Sequence, residues 1–113
     1  MITEQQLEAF FADRSLLRVG ERYFDLPTSS DFIEACIEND FAIIGIEGFE
    51  MVEGGIRPRM DLIADFSERD ALTWSNLKDR ANRSALAFRN AVTDHAVLLN
   101  FTVVNRTEWE RSG

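Results

Sequence analysis

The sequence predicts an α+β fold, a small and mainly antiparallel sheet of three strands or slightly more with helices packed on one face. Three observations carry that expectation. The run Phe41 to Glu50 reads Phe-Ala-Ile-Ile-Gly-Ile-Glu-Gly-Phe-Glu and is apolar on both alternate faces, the pattern of a central strand covered on at least part of both sides. Gly54 and Gly55 suit a turn, after which Met60, Leu62, Ala64 and Phe66 alternate with Asp61, Ile63 and Asp65, so the two runs form a hairpin. Trp74, Leu77, Ala81, Ala85, Phe88 and Val92 then advance three or four residues at a time, which makes one apolar stripe along a long helix.

Each element has its own local signal. Thr3 can cap a helix and Gln6 completes a capping box, so a first short helix runs to about Ala12 with Leu7, Phe10 and Phe11 on one face. From Ser15 to Leu26 the apolar residues Leu16, Leu17, Val19, Tyr23 and Phe24 are interrupted by Gly20 and by charges, a pattern that fits short extended pieces. Pro27 followed by Thr28, Ser29 and Ser30 reads as a stop and then a cap. The second helix is expected over Asp31 to Asn39 with Phe32, Ile33, Cys36 and Ile37 inward. The long third helix is expected from Leu72 or Thr73 to about Thr93. In the last strand, Ala96 to Val104, Val97, Leu99, Phe101 and Val103 form an apolar face, and Leu98, Asn100, Thr102 and Val104 lie opposite. The order is therefore helix, helix, strand, strand, helix, strand. The first strand should lie in the middle of the sheet, antiparallel to both neighbours, and Gly45 and Gly48 within it should mark bulges or close approaches. The face away from the helices would show Asp61, Asp65 and Asn100.

Composition bounds the rest. A chain of 113 residues, 45% hydrophobic, has one core and one domain, 1–113. No run of 18 apolar residues can span a membrane, and Met1 to Leu7 lacks the basic and apolar blocks of a secretory signal, so a cytoplasmic location is expected. The lone cysteine, Cys36, sits among apolar residues and reads as a small core residue. Charge is uneven: residues 1–50 hold 11 acidic residues against 3 arginines, a balance of -8, whereas residues 51–113 hold 9 of each sign. Such a field repels nucleic acid and steers basic partners inward.

Chemistry is sparse. His95 is the single histidine, and there is no HxxxH or CxxC pair. Gly45-Ile46-Glu47-Gly48 lacks the GxGxxG spacing and leads from strand to strand, where a phosphate loop needs a helix N-terminus. Asp61 and Asp65 on one extended strand lie roughly 13 Å apart at about 3.3 Å per residue, too far for a paired acid and base. No catalytic, cofactor-binding or metal-binding residue is assigned, and the chain is expected not to be an enzyme. A small hydrolase would have to gather Asp61, Asp65, His95 or Glu47 in one pocket.

The run Phe41-Ala42-Ile43-Ile44-Gly45-Ile46-Glu47-Gly48 follows an amphipathic helix with a mid-helix cysteine. It precedes a glycine-containing turn, a strand, a long helix and a final apolar strand. In this it resembles the immunity proteins of tRNA-cleaving colicins and of contact-dependent inhibition systems. The resemblance covers about residues 30–104, leaving residues 1–29 as an N-terminal extension. It implies an acidic protein that binds a basic toxin domain, an RNase, and occupies the site that would take RNA, with carboxylates where phosphates would lie. It further implies a monomer or weak homodimer that needs no cofactor. The candidate toxin-binding residues, Glu47, Glu50, Glu53, Asp61 and Asp65, come from the predicted hairpin, which places all five on or beside one edge of the sheet. The alternative is an acidic protein-binding or regulatory module without a toxin partner.

Overall fold

A computed structural model describes residues 2–67, 70 and 73–112. It is an α+β structure with a five-stranded antiparallel sheet and, among the described residues, four α-helices. In chain order these are α1 (Glu4–Ala9), β1 (Ser15–Arg18), β2 (Glu21–Phe24), α2 (Leu26–Glu38), β3 (Phe41–Val52), β4 (Gly55–Asp65), α3 (Trp74–Ala91), β5 (Val97–Asn105) and α4 (Arg106–Ser112). A single 3-10 turn, Ala12–Arg14, joins α1 to β1.

The central part of the topology follows the sequence. The strands lie in the order β1-β2-β5-β3-β4, so β3 sits between β4 and β5 and is antiparallel to both. The sheet is larger than the three strands or slightly more that were expected, and the element order needs correction. Residues 15–24 form a hairpin whose second strand pairs with β5 through Phe24 and Leu99, and this widens the sheet to five strands. A fourth helix, α4, follows the last strand. Leu7, Phe11, Phe24 and Leu26 share one core cluster with Phe32, Ile43 and Leu99, so the first 29 residues are woven into the same interior as the rest.

The hydrophobic face of the sheet is covered by α1, α2 and the second half of α3. Phe24 stacks on Phe32 with ring centroids 4.5 Å apart, and Phe11 and Phe101 close around them. Phe10, expected beside Leu7 and Phe11, faces solvent instead because α1 ends at Ala9. Pro27 does not stop a helix but lies in the first turn of α2, behind the N-cap Asp25, whose carboxylate accepts from the Thr28 amide at 2.8 Å. That position has no intrahelical acceptor for its N–H, so proline is tolerated there.

Helix α3 does more than cover a face. On the side where β4 ends, the first residues of β3 lack a strand neighbour. The buried side chain of Asn82 fills the gap: its Oδ1 accepts from the Ile43 amide at 2.9 Å and its Nδ2 donates to the Phe41 carbonyl at 2.9 Å. The apolar stripe of α3 therefore straddles an edge. Trp74, Leu77 and Ala81 cluster with Ala42, while Ala85 and Val92 belong to the main core with Ile43 and Ile46. Trp109 of α4 packs against that first group, its ring 6.0 Å from Trp74.

Candidate protein-binding face

Strand pairing fixes which side chains share the face opposite α1 and α2. Because antiparallel partners point to the same side, Thr102, Gly45 and Asp65 form one row across β5, β3 and β4. Asn100, Glu47 and Ile63 form the next, and Leu98, Phe49 and Pro58 the third. Tyr23 of β2, which the Phe24–Leu99 pairing sets opposite Asn100, meets Phe49 of the third row edge-on at 4.9 Å, and Leu16 of β1 pairs with Tyr23. No described helix covers the middle of this face. Its centre is thus an aromatic pair on a rigid sheet, with the exposed side chains of Glu47 and Ile63 beside it.

Two register shifts shape the surface. At Ile44 an extra residue enters β3 relative to β5, and between Glu47 and Gly48 the partner in β4 jumps from Ile63 to Arg59. The second is a large bulge in β4 comprising Met60, Asp61 and Leu62. It folds Leu62 back over Gly48, where an added Cβ would come within 2.6 Å of the Leu62 Cβ. Gly48 is a true close approach, as expected of a glycine inside a strand. The bulge also ejects Met60, expected inward and found 75% exposed.

The five candidate carboxylates all belong to the β3–β4 hairpin or its turn, but they do not act alike. Glu47 projects from the open face, and Glu53 is exposed at the hairpin turn; neither makes an ion pair among the described residues. Asp65 stands on the open face and accepts hydrogen bonds from both the amide and the hydroxyl of Ser67. Glu50 points to the other face, where it pairs with Arg57 and lies 3.8 Å from Arg59. Asp61 is held in a two-pronged grip by Arg59, each bond 3.0 Å, and this holds its carboxyl below the usual range. Arg59 also reaches Asp94 at 3.3 Å. Glu50 and Asp61 are therefore already paired with arginines of the same hairpin.

Between the first two rows lies a concavity of about 340 Å³, lined by Ile44, Gly45, Ile46, Glu47, Ile63, Ala64, Asp65, Ser67 and Thr102. Sequence reasoning named Glu47 and Asp65 of this lining as candidates and put Thr102 on the face away from the core, but it did not foresee the Tyr23–Phe49 contact beside it, which depends on long-range pairing. His95 is exposed in the connection from α3 to β5. Cys36 is fully buried, and burial pushes its thiol far up from its ordinary pKa. Among the described residues no group of three His, Cys, Asp or Glu side chains converges as metal ligands would, and no helix is long and apolar enough to cross a membrane.

No protein-family model, curated protein or solved structure matches this chain.

Proposed function

We propose that this chain is an immunity protein that binds and neutralises the basic nuclease domain of a bacterial toxin, laying its open sheet face over the site that would take RNA. The observation that carries the reading is that face: a half-buried Tyr23–Phe49 pair on the sheet, with exposed Glu47 projecting beside it, in a chain of net charge -8. Aromatic anchors surrounded by polar groups are the usual composition of an energetic interface centre, and a negative field speeds encounter with a basic partner. The same field repels RNA, so the partner is the protein and not its substrate. The contact would form in the cytoplasm, between a monomeric or weakly dimeric inhibitor and one toxin domain, without a cofactor.

Within this reading the candidate carboxylates divide. Glu47 and Glu53, which make no ion pair among the described residues, remain as contacts to the toxin, and Asp65, already bonded to Ser67, flanks Glu47 on the same face. Glu50 and Asp61 are engaged by Arg57 and Arg59, so their replacement should disturb the hairpin before it disturbs a partner. The alternative, an acidic binding module with no toxin, draws on the same face and differs in outcome. The test is to express the chain together with the nuclease domain encoded beside it and to record survival and RNA cleavage. Protection that is lost on replacing Phe49 with Ala, in a variant that still folds, supports immunity. Binding without protection favours the alternative, and neither binding nor protection removes the proposal.

A further inference from the structure

We infer that Val19, at the tip of the β1–β2 hairpin, is an anchor that seats in an apolar pocket of the basic partner domain, an assignment that rests on the proposed binding function and extends it beyond the open face. Two features of this residue work against the free protein. Its φ of 51° lies in the left-handed region, where a branched Cβ is strained, and Gly20 beside it at 78° completes the positive angles of a type I′ turn. Its side chain is also fully exposed, so an apolar group stands in water with no contact to offset the strain. Glycine, asparagine or aspartate would suit the same turn better. Exposure alone is common for an apolar side chain; exposure at a strained position is what singles Val19 out.

Asp40, the other described non-glycine residue with a positive φ, at 62°, makes the contrast. There the strain is offset inside the chain, because the carboxylate accepts from Trp74 Nε1 at 2.9 Å and pairs with Lys78 at 3.0 Å, tying the end of α2 to α3. Val19 has no such internal partner, so the compensation falls to whatever the tip docks against. The tip is continuous with the proposed interface. Leu16 stands opposite Tyr23 and Arg18 opposite Glu21, so these four side chains share the open face. Val19 precedes Tyr23 by four residues, roughly 13 Å at about 3.3 Å per residue, a span that one interface patch of about 800 Å² per partner covers. Leu17, 53% exposed, widens the apolar tip. Arg18 bonds the Leu17 carbonyl at 3.0 Å and makes no ion pair among the described residues, which leaves its guanidinium for an acceptor at the rim of the pocket.

The test uses the full chain and the nuclease domain encoded beside it, with binding rates followed by surface plasmon resonance and stability by thermal melting. Val19→Asn should melt higher than the parent yet bind about tenfold more weakly, the scale of burying one valine side chain. The loss should lie in the dissociation rate and be the same at low and high salt, because no charge changes. Val19→Ile, which keeps a branched apolar side chain, should bind as the parent does. Amide spectra of 15N-labelled Val19→Asn should shift around the tip and leave Glu47 and Phe49 in place. Parental affinity in Val19→Asn, or an equal loss in Val19→Ile, overturns the anchor and leaves the immunity function standing. Shifts that spread to Glu47 and Phe49 overturn it too, since binding is then lost through the face. If Val19→Asn binds more weakly a domain from which the parent gives no protection, the anchor stands and the immunity function alone falls. A parent chain that does not bind the domain removes both.

Discussion

The carboxamide of Asn82 stands in for a missing strand beside Ile43, accepting its amide proton at 2.9 Å while donating to Phe41 two residues away. A helix side chain thereby completes the edge of a sheet in the interior, where water cannot. Replacing Asn82 with Ala would leave a buried N–H and a buried C=O unpaired, each costing about 1–3 kcal/mol. The expected loss is about 2–5 kcal/mol in chemical denaturation. Asn82→Asp, which removes the donor and buries a charge, should be no better. An Ala variant that unfolds with the parent would show that β3 is paired in some other way.

Gly48 and Gly45 sit three residues apart on one strand and should respond in opposite ways. Gly48→Ala forces its new methyl against Leu62, a contact of 2.6 Å with no flexible end to yield, and should cost about 1–3 kcal/mol. Gly45→Ala should be neutral or stabilising, because it meets only ordinary contacts and stiffens the unfolded chain. Thermal melts of the two single variants decide the matter. Equal changes would mean that the bulge does not hold Leu62 over Gly48.

Val19 occupies the tip of the β1–β2 hairpin with φ of 51°, next to Gly20 at 78°, the pair of positive angles that a type I′ turn requires. A β-branched residue is strained there, and this one is wholly exposed and packs on nothing. Val19→Asn, which tolerates that region, should stabilise the protein by about 1 kcal/mol, within the usual left-handed penalty of about 1–2 kcal/mol. A lower midpoint in urea would argue against the turn.

Glu4 on α1 has its pKa pushed up to about 7, first by burial and then by the neighbouring carboxylates Glu8, Glu108 and Glu21. Burial also raises Glu8, against the opposing pull of Arg22. Since the folded pKa of Glu4 exceeds the ordinary 4.5, the folded protein holds the proton more tightly than the unfolded chain does. Stability contributed by this residue is therefore present below about pH 4.5 and declines as pH rises toward 7. Glu4→Gln, neutral throughout, should lose less stability between pH 4.5 and 7.5 than the parent. Parallel melting curves for the two proteins across that range would place Glu4 in bulk solvent.

What the sequence by itself determined is what local contacts decide. The Thr3–Gln6 capping box forms as expected, with Gln6 N donating to Thr3 Oγ1 at 3.1 Å and Thr3 N to the Gln6 side chain at 2.8 Å. Thr73 caps α3, and Asp79 pairs with Arg83 one turn on at 3.0 Å. The alternation of Val97, Leu99 and Val103 put them in the core, and one hairpin plus one long helix left β3 little choice but the middle of its three strands. These features rest on partners within a few residues or on a period that one face of one element sets. Tertiary structure decided the rest. Residues 15–24 are extended, as their pattern suggested, but only the edge that β5 offers joins them to the sheet. Glu47 and Asp65 were legible as candidates because alternation exposes them. That Arg57 and Arg59 would pair with Glu50 and Asp61, and that Tyr23 would meet Phe49, depended on bulges and strand order. A shift of one residue in register exchanges the two faces of a strand, so the composition of the open face was settled only when five strands found their partners.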